Sequence, residues 1–215
     1  MARHATASQA PRRVDAVTPG PDAALATQRF AVVDVETSGL SPKRHRILQI
    51  AVVLVTGDGS VVDEWSSLVR PSWWRVGPRH IHGLTVRRVR RAPRFGDVAP
   101  ELVARLDGAV VVGHNVAFDW AFVTTALERT GRARRVEPLR LCTLELSRAL
   151  DPERTASHRL VDVCQRHGVT LDRAHDALAD ARATAQLLPR LLAASGASTL
   201  DQLGAPALAG PTVRP

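Results

Sequence analysis

The apolar residues in the first third of the chain fall into short runs that are rich in valine and isoleucine. Runs of this kind, bounded by turn residues, predict β-strands. The second and third runs are separated by Gly57-Asp58-Gly59-Ser60, and a strand, a glycine-containing turn and a strand favour an antiparallel meander. The three predicted strands cover residues 29–36, 47–56 and 61–69.

The rest of the chain alternates between short apolar runs and segments with the apolar spacing of a helix. Strands first, and then alternating strands and helices, predict an α/β fold. We expect a mixed five-stranded sheet, an antiparallel meander followed by parallel strands, flanked by helices. Residues 71–93 have no regular pattern and are rich in arginine. The later predicted strands are 109–112 and 139–143, and the predicted helices are 98–106, 115–129, 144–150, 159–167 and 176–192.

Composition limits the class of protein. The 215 residues are 45% apolar, which is enough for one sizeable core. No apolar run reaches the length of about 18 residues that a membrane helix needs, so we expect no membrane span. Residues 1–26 lack the apolar core of a secretory signal, and we expect them to form a disordered N-terminal tail and residues 196–215 a flexible C-terminal tail. Cys142 and Cys164 lack CxxC spacing, so we interpret them as reduced core thiols of a cytoplasmic protein.

The chain has a net charge of +8, and Lys43 is the only lysine, so 28 of the 29 basic residues are arginine. The charge lies mainly between the two predicted tails, which favours a polyanionic partner. Biased codon usage is the alternative explanation, because it raises the arginine content without any functional meaning.

Asp34 and Glu36 are the first candidate site residues. Side chains alternate across a strand, so two carboxylates two residues apart point to the same face. They lie where the first apolar run ends, and Thr37-Ser38-Gly39 follows directly. A pair of solvated carboxylates at a strand terminus is the alternative interpretation.

Asp119 is the second candidate, in the segment Gly113-His114-Asn115-Val116-Ala117-Phe118-Asp119. It falls in the first turn of the predicted helix 115–129, where a carboxylate also suits the helix dipole. His114 and Asn115 precede it at a strand-to-helix junction, which is where open α/β sheets bind ligands. Helix capping alone would also explain the aspartate.

His175 and Asp180 are the third candidates, in His175-Asp176-Ala177-Leu178-Ala179-Asp180. Five residues on an ideal helix correspond to about 140° of rotation, so the two side chains share a face only if His175 lies in the loop before the helix. Asp176 is a plausible cap there. An exposed loop histidine and a surface aspartate are the alternative.

A common site would explain all three segments. Four carboxylates that converge raise one another's pKa, and divalent cations are the usual means of keeping them ionised.

The three segments, in this order, resemble the three motifs of the DEDDh (DnaQ-like) 3′→5′ exonucleases, which have a ribonuclease H-like fold. The resemblance extends over about Gln28–Ala194 and implies an exonuclease domain over residues 27–195. Two supporting segments agree with the family: Ile81-His82-Gly83-Leu84-Thr85, and Ser157-His158-Arg159-Leu160 leading to Gly168-Val169. A sister group has tyrosine in place of the histidine, and this chain contains no tyrosine. Cys142 departs from the family, because many relatives have aspartate there. The motifs look most like the DNA polymerase III epsilon-subunit branch.

The resemblance implies a role for each residue. Asp34, Glu36 and Asp180 would hold one Mg²⁺ or Mn²⁺, Asp34 would bridge to a second ion, and Asp119 would support that ion mainly through water. The two ions would activate the attacking water and stabilise the leaving 3′ oxygen. His175 would be the general base, and the product would be a nucleoside 5′-monophosphate.

Further residues are candidates for contacts with the nucleic acid. Leu40 and Phe118 would pack on bases, with core packing as the alternative. Arginines between residues 87 and 94 would follow phosphates, with a solvated face as the alternative. The candidates that would grip the terminal nucleotides are Thr37, Leu40, His82, His114, Asn115 and Phe118.

The expected substrate is the 3′ end of DNA, because the motifs look most like the epsilon-subunit branch. RNA stays open as a substrate, because members of the family act on both. Single-stranded DNA, in repair or proofreading, is the favoured substrate. A DNA polymerase is a candidate partner, although residues 196–215 lack an apolar-aromatic anchor for a clamp or polymerase. An exoribonuclease that trims RNA 3′ ends is the first alternative. A catalytically inactive nucleic-acid-binding module and a metal phosphatase acting on small molecules are the others.

Overall fold

All five apolar runs form strands of one mixed sheet. The structure is a computed structural model, and it describes residues 24–73, 75–131, 138–204 and 207–209. Strands β1 (Arg29–Thr37), β2 (Ile47–Thr56) and β3 (Val61–Leu68) form the antiparallel meander. Strands β4 (Val110–Gly113) and β5 (Arg140–Cys142) pair parallel on the other side of β1. The predicted α/β class and mixed sheet are confirmed.

The sheet has six strands in the described residues, instead of the five that we predicted. The sixth, β6 (Leu208–Ala209), pairs antiparallel with β5 and gives the order β3-β2-β1-β4-β5-β6. It lies in the segment expected to be a flexible tail, where Leu200 and Ala207 are also buried in the core. Two residues are too few to produce a detectable alternation of apolar and polar positions, which explains why the sequence did not reveal this strand.

The start of the described chain also contacts the core. Residues 1–23 of the predicted N-terminal tail lie outside the described residues. Leu25, in a short 3₁₀ turn, is buried, and its N–H donates to the carbonyl of Ser198 at 2.9 Å. The two ends of the described chain therefore meet beside the sheet.

Helices cover both faces of the sheet. The helices are α1 (Arg79–His82), α2 (Val86–Val89), α3 (Phe95–Leu106), α4 (Val116–Arg129), α5 (Thr143–Ala149), α6 (Leu160–Arg166) and α7 (Ala177–Ser195). Helices α5, α6 and α7 share a core with Phe30 and Val32 of β1, whereas α3 and α4 share a core with Ala31 and Val33. The alternation of side chains along β1 thus supplies both cores. None of the helices in the described ranges combines the length and apolar character that a membrane crossing requires.

The segment 71–93, which we expected to be irregular, contains the one-turn helices α1 and α2. Helices of four residues are too short to show a helical period. A small core of Leu48, Val76, Leu84 and Val89 holds the segment against β2. Gly77 has φ +68°, and a Cβ there would lie 2.3 Å from the carbonyl oxygen of Ser38, so only glycine allows this segment to approach the β1–β2 turn.

Candidate active site

Asp34 and Glu36 lie at the C-terminal end of the central strand β1, as the sequence predicts. They are separated from Phe30 and Val32 by even numbers of residues, so all four side chains point to the side of the sheet that α7 covers. The pairing of β1 with β2 shifts register between Glu36 and Thr37, and the strand ends there. Two carboxylates are therefore held on one face of a rigid element at the point where the sheet opens.

Asp119 reaches the same end of β1 from α4. The pairing of β1 with β4 ends at Val32, and β4 itself ends at Gly113. Beyond that point, the Asp119 carboxylate accepts a hydrogen bond from the Val35 N–H of β1 at 3.1 Å. Asn115 forms the strand-to-helix turn with φ +77°, a left-handed conformation that asparagine adopts more readily than most residues.

His175 lies outside α7, as the spacing required. Asp176 is the cap of α7, and its carboxylate accepts from the Ala179 N–H at 3.3 Å. His175 has φ +67° and is exposed, and its backbone N–H donates to Asp180 Oδ2 at 3.0 Å. The imidazole also lies near this helix residue, because the ligand atoms of His175 and Asp180 are within 4.8 Å of each other. Left-handed conformations carry strain and are concentrated at functional sites.

Burial raises the pKa of all four carboxylates, and the charges of neighbouring carboxylates raise it further. Burial and then the charges of Asp119, Asp180 and Glu36 raise the pKa of Asp34 well above 3.8. Burial, with the charge of Asp180, raises the pKa of Glu36 from 4.5 to about 7. Burial raises the pKa of Asp119 from 3.8 to about 8, although the hydrogen bond from Val35 opposes the shift. Burial also raises the pKa of Asp180, and the His175 N–H and imidazole oppose that shift.

The donor atoms fit a divalent cation. Glu36, His175 and Asp180 each offer one ligand atom, and these three atoms lie within 4.8 Å of one another. Within the described part of the chain, Asp180 Oδ1 is buried and has no hydrogen-bond partner. Buried oxygen atoms and mutually repelling carboxylates are both stabilised by a cation, and hard cations prefer carboxylate oxygen.

The predicted nucleotide contacts have different environments. Leu40, four residues after Glu36, is 83% exposed, so its side chain is accessible to a ligand. Phe118 is half-buried, with its ring 5.1 Å from that of Phe122. The Thr37 hydroxyl donates to the carbonyl of Gly39 at 2.8 Å, so it holds the turn after β1. Asn115 is exposed.

The two predicted contact histidines already have protein partners. The Leu84 N–H donates to His82 Nδ1 at 3.0 Å, so Nε2 carries the proton that it donates to the Val76 carbonyl at 2.9 Å. His114 Nε2 donates to the carbonyl of His158 at 2.9 Å, and its Nδ1 lies 3.0 Å from the Thr143 hydroxyl. Burial lowers the pKa of both imidazoles, which favours their neutral forms.

Thr143 and His158 were not selected from the sequence, although both hold His114 beside the junction that leads to Asp119. The segment of His158 was noted as a supporting one, and that of Thr143 was not. Nothing in a sequence indicates a hydrogen bond across 29 or 44 residues. The arginines at 87, 88, 90, 91 and 94 are all exposed, as we expected for residues that follow phosphates or that face solvent.

The mixed sheet and the acidic cluster at its central strand define a ribonuclease H-like exonuclease domain. The family model described as RNase_T, exonuclease, matches residues 31–188. The chain belongs to this exonuclease family, and the resemblance to the DEDDh exonucleases is confirmed.

Two curated relatives are DNA polymerase III chains of the PolC type. The protein from Lacticaseibacillus paracasei is 36% identical over 187 residues, which are 83% of this chain and 12% of the relative. The protein from Bacillus subtilis is 31% identical over 169 residues, which are 78% of this chain and 12% of the relative. The chain therefore spans about an eighth of the length of these relatives.

Solved structures of exonucleases have the same fold. Exonuclease X, in complex with 5′ overhanging duplex DNA, is 27% identical with a TM-score of 0.63, over 81% of this chain and 99% of that one. Exonuclease I of E. coli, in complex with a dT13 oligonucleotide, is 21% identical with a TM-score of 0.68, over 79% of this chain and 42% of that one. The nuclease domain of 3′hExo, a DEDDh family member bound to rAMP, is 18% identical with a TM-score of 0.65, over 80% and 94%.

Proposed function

We propose that this chain is a metal-dependent 3′→5′ exonuclease that releases nucleoside 5′-monophosphates from the 3′ ends of DNA, with single-stranded ends as the preferred substrate. The observation that carries the proposal is the convergence of Asp34, Glu36, Asp119 and Asp180 at the end of β1 with raised carboxylate pKa values. An enzyme that cleaves phosphodiesters uses such a cluster to hold cations against the phosphate.

Two divalent cations, Mg²⁺ or Mn²⁺, are the proposed cofactors. Asp34, Glu36 and Asp180 would hold one ion, and Asp34 with Asp119 would hold the other. When bound, the ions supply an activated water and stabilise the charge on the leaving 3′ oxygen. Binding also removes the repulsion that raises the carboxylate pKa values, so occupancy and ionisation of the cluster are linked.

His175 is the proposed general base. Its imidazole is exposed and lies outside the helix, so it is free to reach a water molecule beside the cluster. Its backbone N–H is fixed to the Asp180 carboxylate, which limits the movement of the residue. Imidazole is the side chain best suited to accepting a proton near neutral pH.

The proposed strand path begins at the exposed side chain of Leu40, which would pack on the face of a terminal base, and Phe118 would also pack on a base face. Thr37, His82, His114 and Asn115 would shape the walls. Exposed arginines of the segment 87–94 would neutralise phosphates of the incoming strand.

The preference for DNA is supported by the DNA polymerase III relatives and by the DNA complexes of Exonuclease X and Exonuclease I. Association with a DNA polymerase is proposed from the same relatives, because the aligned part is a small share of a polymerase chain. We also propose a cytoplasmic location, which the two free, buried cysteines support.

The test uses purified protein with Mg²⁺ or Mn²⁺ and 5′-labelled DNA and RNA oligomers of the same sequence, compared with Asp34→Ala. We expect a ladder that shortens from the 3′ end on DNA, and its loss in the variant. Asp172→Ala is the matched control, because Asp172 is exposed and lies outside the cluster. If RNA is shortened as fast as DNA or faster, the proposed substrate changes from DNA to RNA. Binding without shortening of either oligomer would favour an inactive nucleic-acid-binding module.

A further inference from the structure

A cavity of about 370 Å³ opens on the α3–α4 side of the sheet. Its walls come from the start of β2, the segment after β3, the N-terminal end of α3 and the C-terminal half of α4. Asp34 and Glu36 point to the side of the sheet that α7 covers, and Asp180 lies on α7 itself. Asp119 comes from α4, but neither it nor any other member of the acidic cluster lines this cavity. The cavity is therefore separate from the candidate active site.

The floor of the cavity is apolar and includes two aromatic rings. Ile47, Val69 and Phe122 are buried in the core below it, and Phe95 and Ala126 are half-buried at its sides. Apolar floors in a cavity of this volume are typical of sites for small organic ligands.

The rim carries four arginines and no carboxylate. These are Arg46, Arg70, Arg94 and Arg129. Among the residues that the structure describes, none of the four guanidinium groups forms an ion pair. Burial, together with the nearby charge of Arg129, lowers the pKa of Arg46. The positive charge of the rim is thus unbalanced, and an anion would stabilise it.

Two of the guanidinium groups are fixed in place. The Arg46 guanidinium stacks on the Trp73 ring at 3.9 Å, and its Nε donates to the Ser72 hydroxyl at 3.2 Å. The Arg129 guanidinium donates to the carbonyls of Pro42 and Lys43 at 2.8 and 2.6 Å. Groups that are already ordered lose little entropy when they bind a ligand.

The other two arginines are brought together by the backbone. Arg70 and Arg94 form an isolated parallel bridge, and the Arg70 N–H donates to the Pro93 carbonyl at 2.7 Å. The bridge aligns two positive side chains beside the apolar floor. Among the residues that the structure describes, neither guanidinium group forms a hydrogen bond or an ion pair, and the bond from Arg94 to Asp97 uses the backbone N–H.

We propose that this cavity is a second nucleotide-binding site, which takes the phosphate of one nucleotide on the arginine rim and its base on the apolar floor. An inorganic anion would leave the floor unused, and an apolar ligand would leave four arginines unbalanced. A nucleotide satisfies both parts and fits the cavity volume. Its source is either a free mononucleotide or one nucleotide of a bound strand.

The position of the cavity is relevant to both sources. The Arg46 N–H donates to the Ser38 hydroxyl at 3.0 Å, and the Ser38 N–H donates to the Arg46 carbonyl at 2.9 Å. Ser38 follows Glu36 by two residues, so the rim is joined to the turn after the acidic cluster. The proposal concerns binding only, and it holds whether or not the cluster cleaves nucleic acid.

The test is calorimetric titration of the full chain in EDTA, which prevents cleavage, with dAMP, a dT10 oligomer and inorganic phosphate. The rim variant is Arg70→Gln, which leaves Arg94 of the proposed phosphate path unchanged, and the floor variant is Ala126→Trp, which fills the cavity. Arg190→Gln is the matched control, because Arg190 is exposed, lies in the C-terminal half of α7 outside the cavity, and its substitution removes the same charge. Circular dichroism and melting temperature establish that each variant is folded.

We expect the rim and floor variants to weaken binding of dAMP, dT10 or both by at least about tenfold, and the control variant by less than about twofold, since a nucleotide uses both parts of the site. Loss confined to dAMP identifies a free mononucleotide, and loss confined to dT10 identifies a nucleotide of a strand. Unchanged affinities for both ligands in folded rim and floor variants would overturn the proposal. Phosphate binding as tightly as dAMP would also overturn it, because the base would then contribute nothing.

Discussion

The carboxylate of Asp119 on α4 accepts a hydrogen bond at 3.1 Å from the backbone N–H of Val35 on β1, 84 residues earlier. This contact fixes the first turn of α4 to the strand that carries Asp34 and Glu36. It also gives Asp119 two separable properties, because the hydrogen bond requires only an acceptor oxygen, whereas cation binding requires the negative charge.

Asp119→Asn should separate these two properties. Asparagine keeps an oxygen for the Val35 N–H and removes a carboxylate whose pKa burial raises to about 8. In EDTA above that pH, we expect the variant to melt at a higher temperature than the parent chain, because a buried charge has been removed. The rise in melting temperature on adding Mg²⁺ should be smaller in the variant.

Asp119→Ala is the comparison for this measurement, because it removes the charge and the acceptor together. An unpaired buried N–H costs about 1–3 kcal/mol, so alanine should be less stable than asparagine. An Asp119→Asn protein that melts below the parent chain in EDTA would contradict the electrostatic account.

His175→Asn should slow turnover without weakening cation binding. Asparagine adopts the φ of +67° at this position more readily than alanine, so the loop should be preserved. Loss of a general base typically lowers the rate by about 10²–10⁴-fold. Single-turnover kinetics measure the rate, and calorimetric titration with Mn²⁺ measures the affinity.

The titration decides between two roles for the imidazole. Its ligand atom lies within 4.8 Å of those of Glu36 and Asp180, which would also allow it to bind a cation. A fall in Mn²⁺ affinity of more than about tenfold would make His175 a ligand instead of a base.

The metal-free protein should lose stability as the pH rises. The folded-state pKa values of Glu36 and Asp119 rise from 4.5 and 3.8 to about 7 and about 8. The folded state therefore binds more protons than the unfolded state between about pH 4 and pH 8, so the free energy of unfolding falls across that range. Urea unfolding in EDTA at pH 5 and pH 8 measures the change.

Divalent cations should reduce or reverse this dependence, because they bind the ionised cluster of the folded state. The opposite result is a free energy of unfolding in EDTA that rises from pH 5 to pH 8. It would show that other groups dominate the pH dependence, and it would remove this support for a strained acidic cluster.

Binding of a single strand should depend steeply on salt. We expect log K for a dT oligomer to fall linearly with log salt, with a slope of about −0.7 for each phosphate neutralised. Asp34→Ala protein is suitable for the titration because it should not cleave the oligomer. Arg87→Gln with Arg91→Gln should make the slope less steep, since both arginines are exposed in the proposed path.

Arg190→Gln is a control for the salt experiment, because Arg190 is exposed and lies on α7 ten residues after Asp180, about 15 Å along the helix. A flat salt dependence in the parent chain would exclude the arginine path. An equal change of slope in the Arg190 variant would show that net charge acts without a defined path.

Much of the fold was predictable because its signals are local. The valine-rich run of β1 predicted a buried strand, and the structure extends it by one residue to Thr37. Helix α7 was predicted from its apolar spacing, and its cap at Asp176 is confirmed. The helices α1 and α2 and the strand β6 were missed, because two to four residues give no detectable period.

The acidic cluster was predictable in its members but not in its contacts. Asp34 and Glu36 share a face because strands alternate, which the spacing alone establishes. The bond from Val35 to Asp119 depends on where β4 ends, and the partners of His114 depend on how α5 and the segment before α6 pack. None of these distances is encoded in a local pattern.

The sequence by itself determined the strands and long helices, because strand alternation and helical period are properties of neighbouring residues. It also determined the segments that carry the candidate site, and the resemblance of those segments indicated the family. The tertiary structure alone decided which polar groups meet. It raised the carboxylate pKa values through burial and proximity, fixed the partners of His82 and His114, and collected four distant arginines around one cavity. Burial and charge proximity depend on the packing of segments far apart in the chain, and a linear pattern of residue types does not contain that packing.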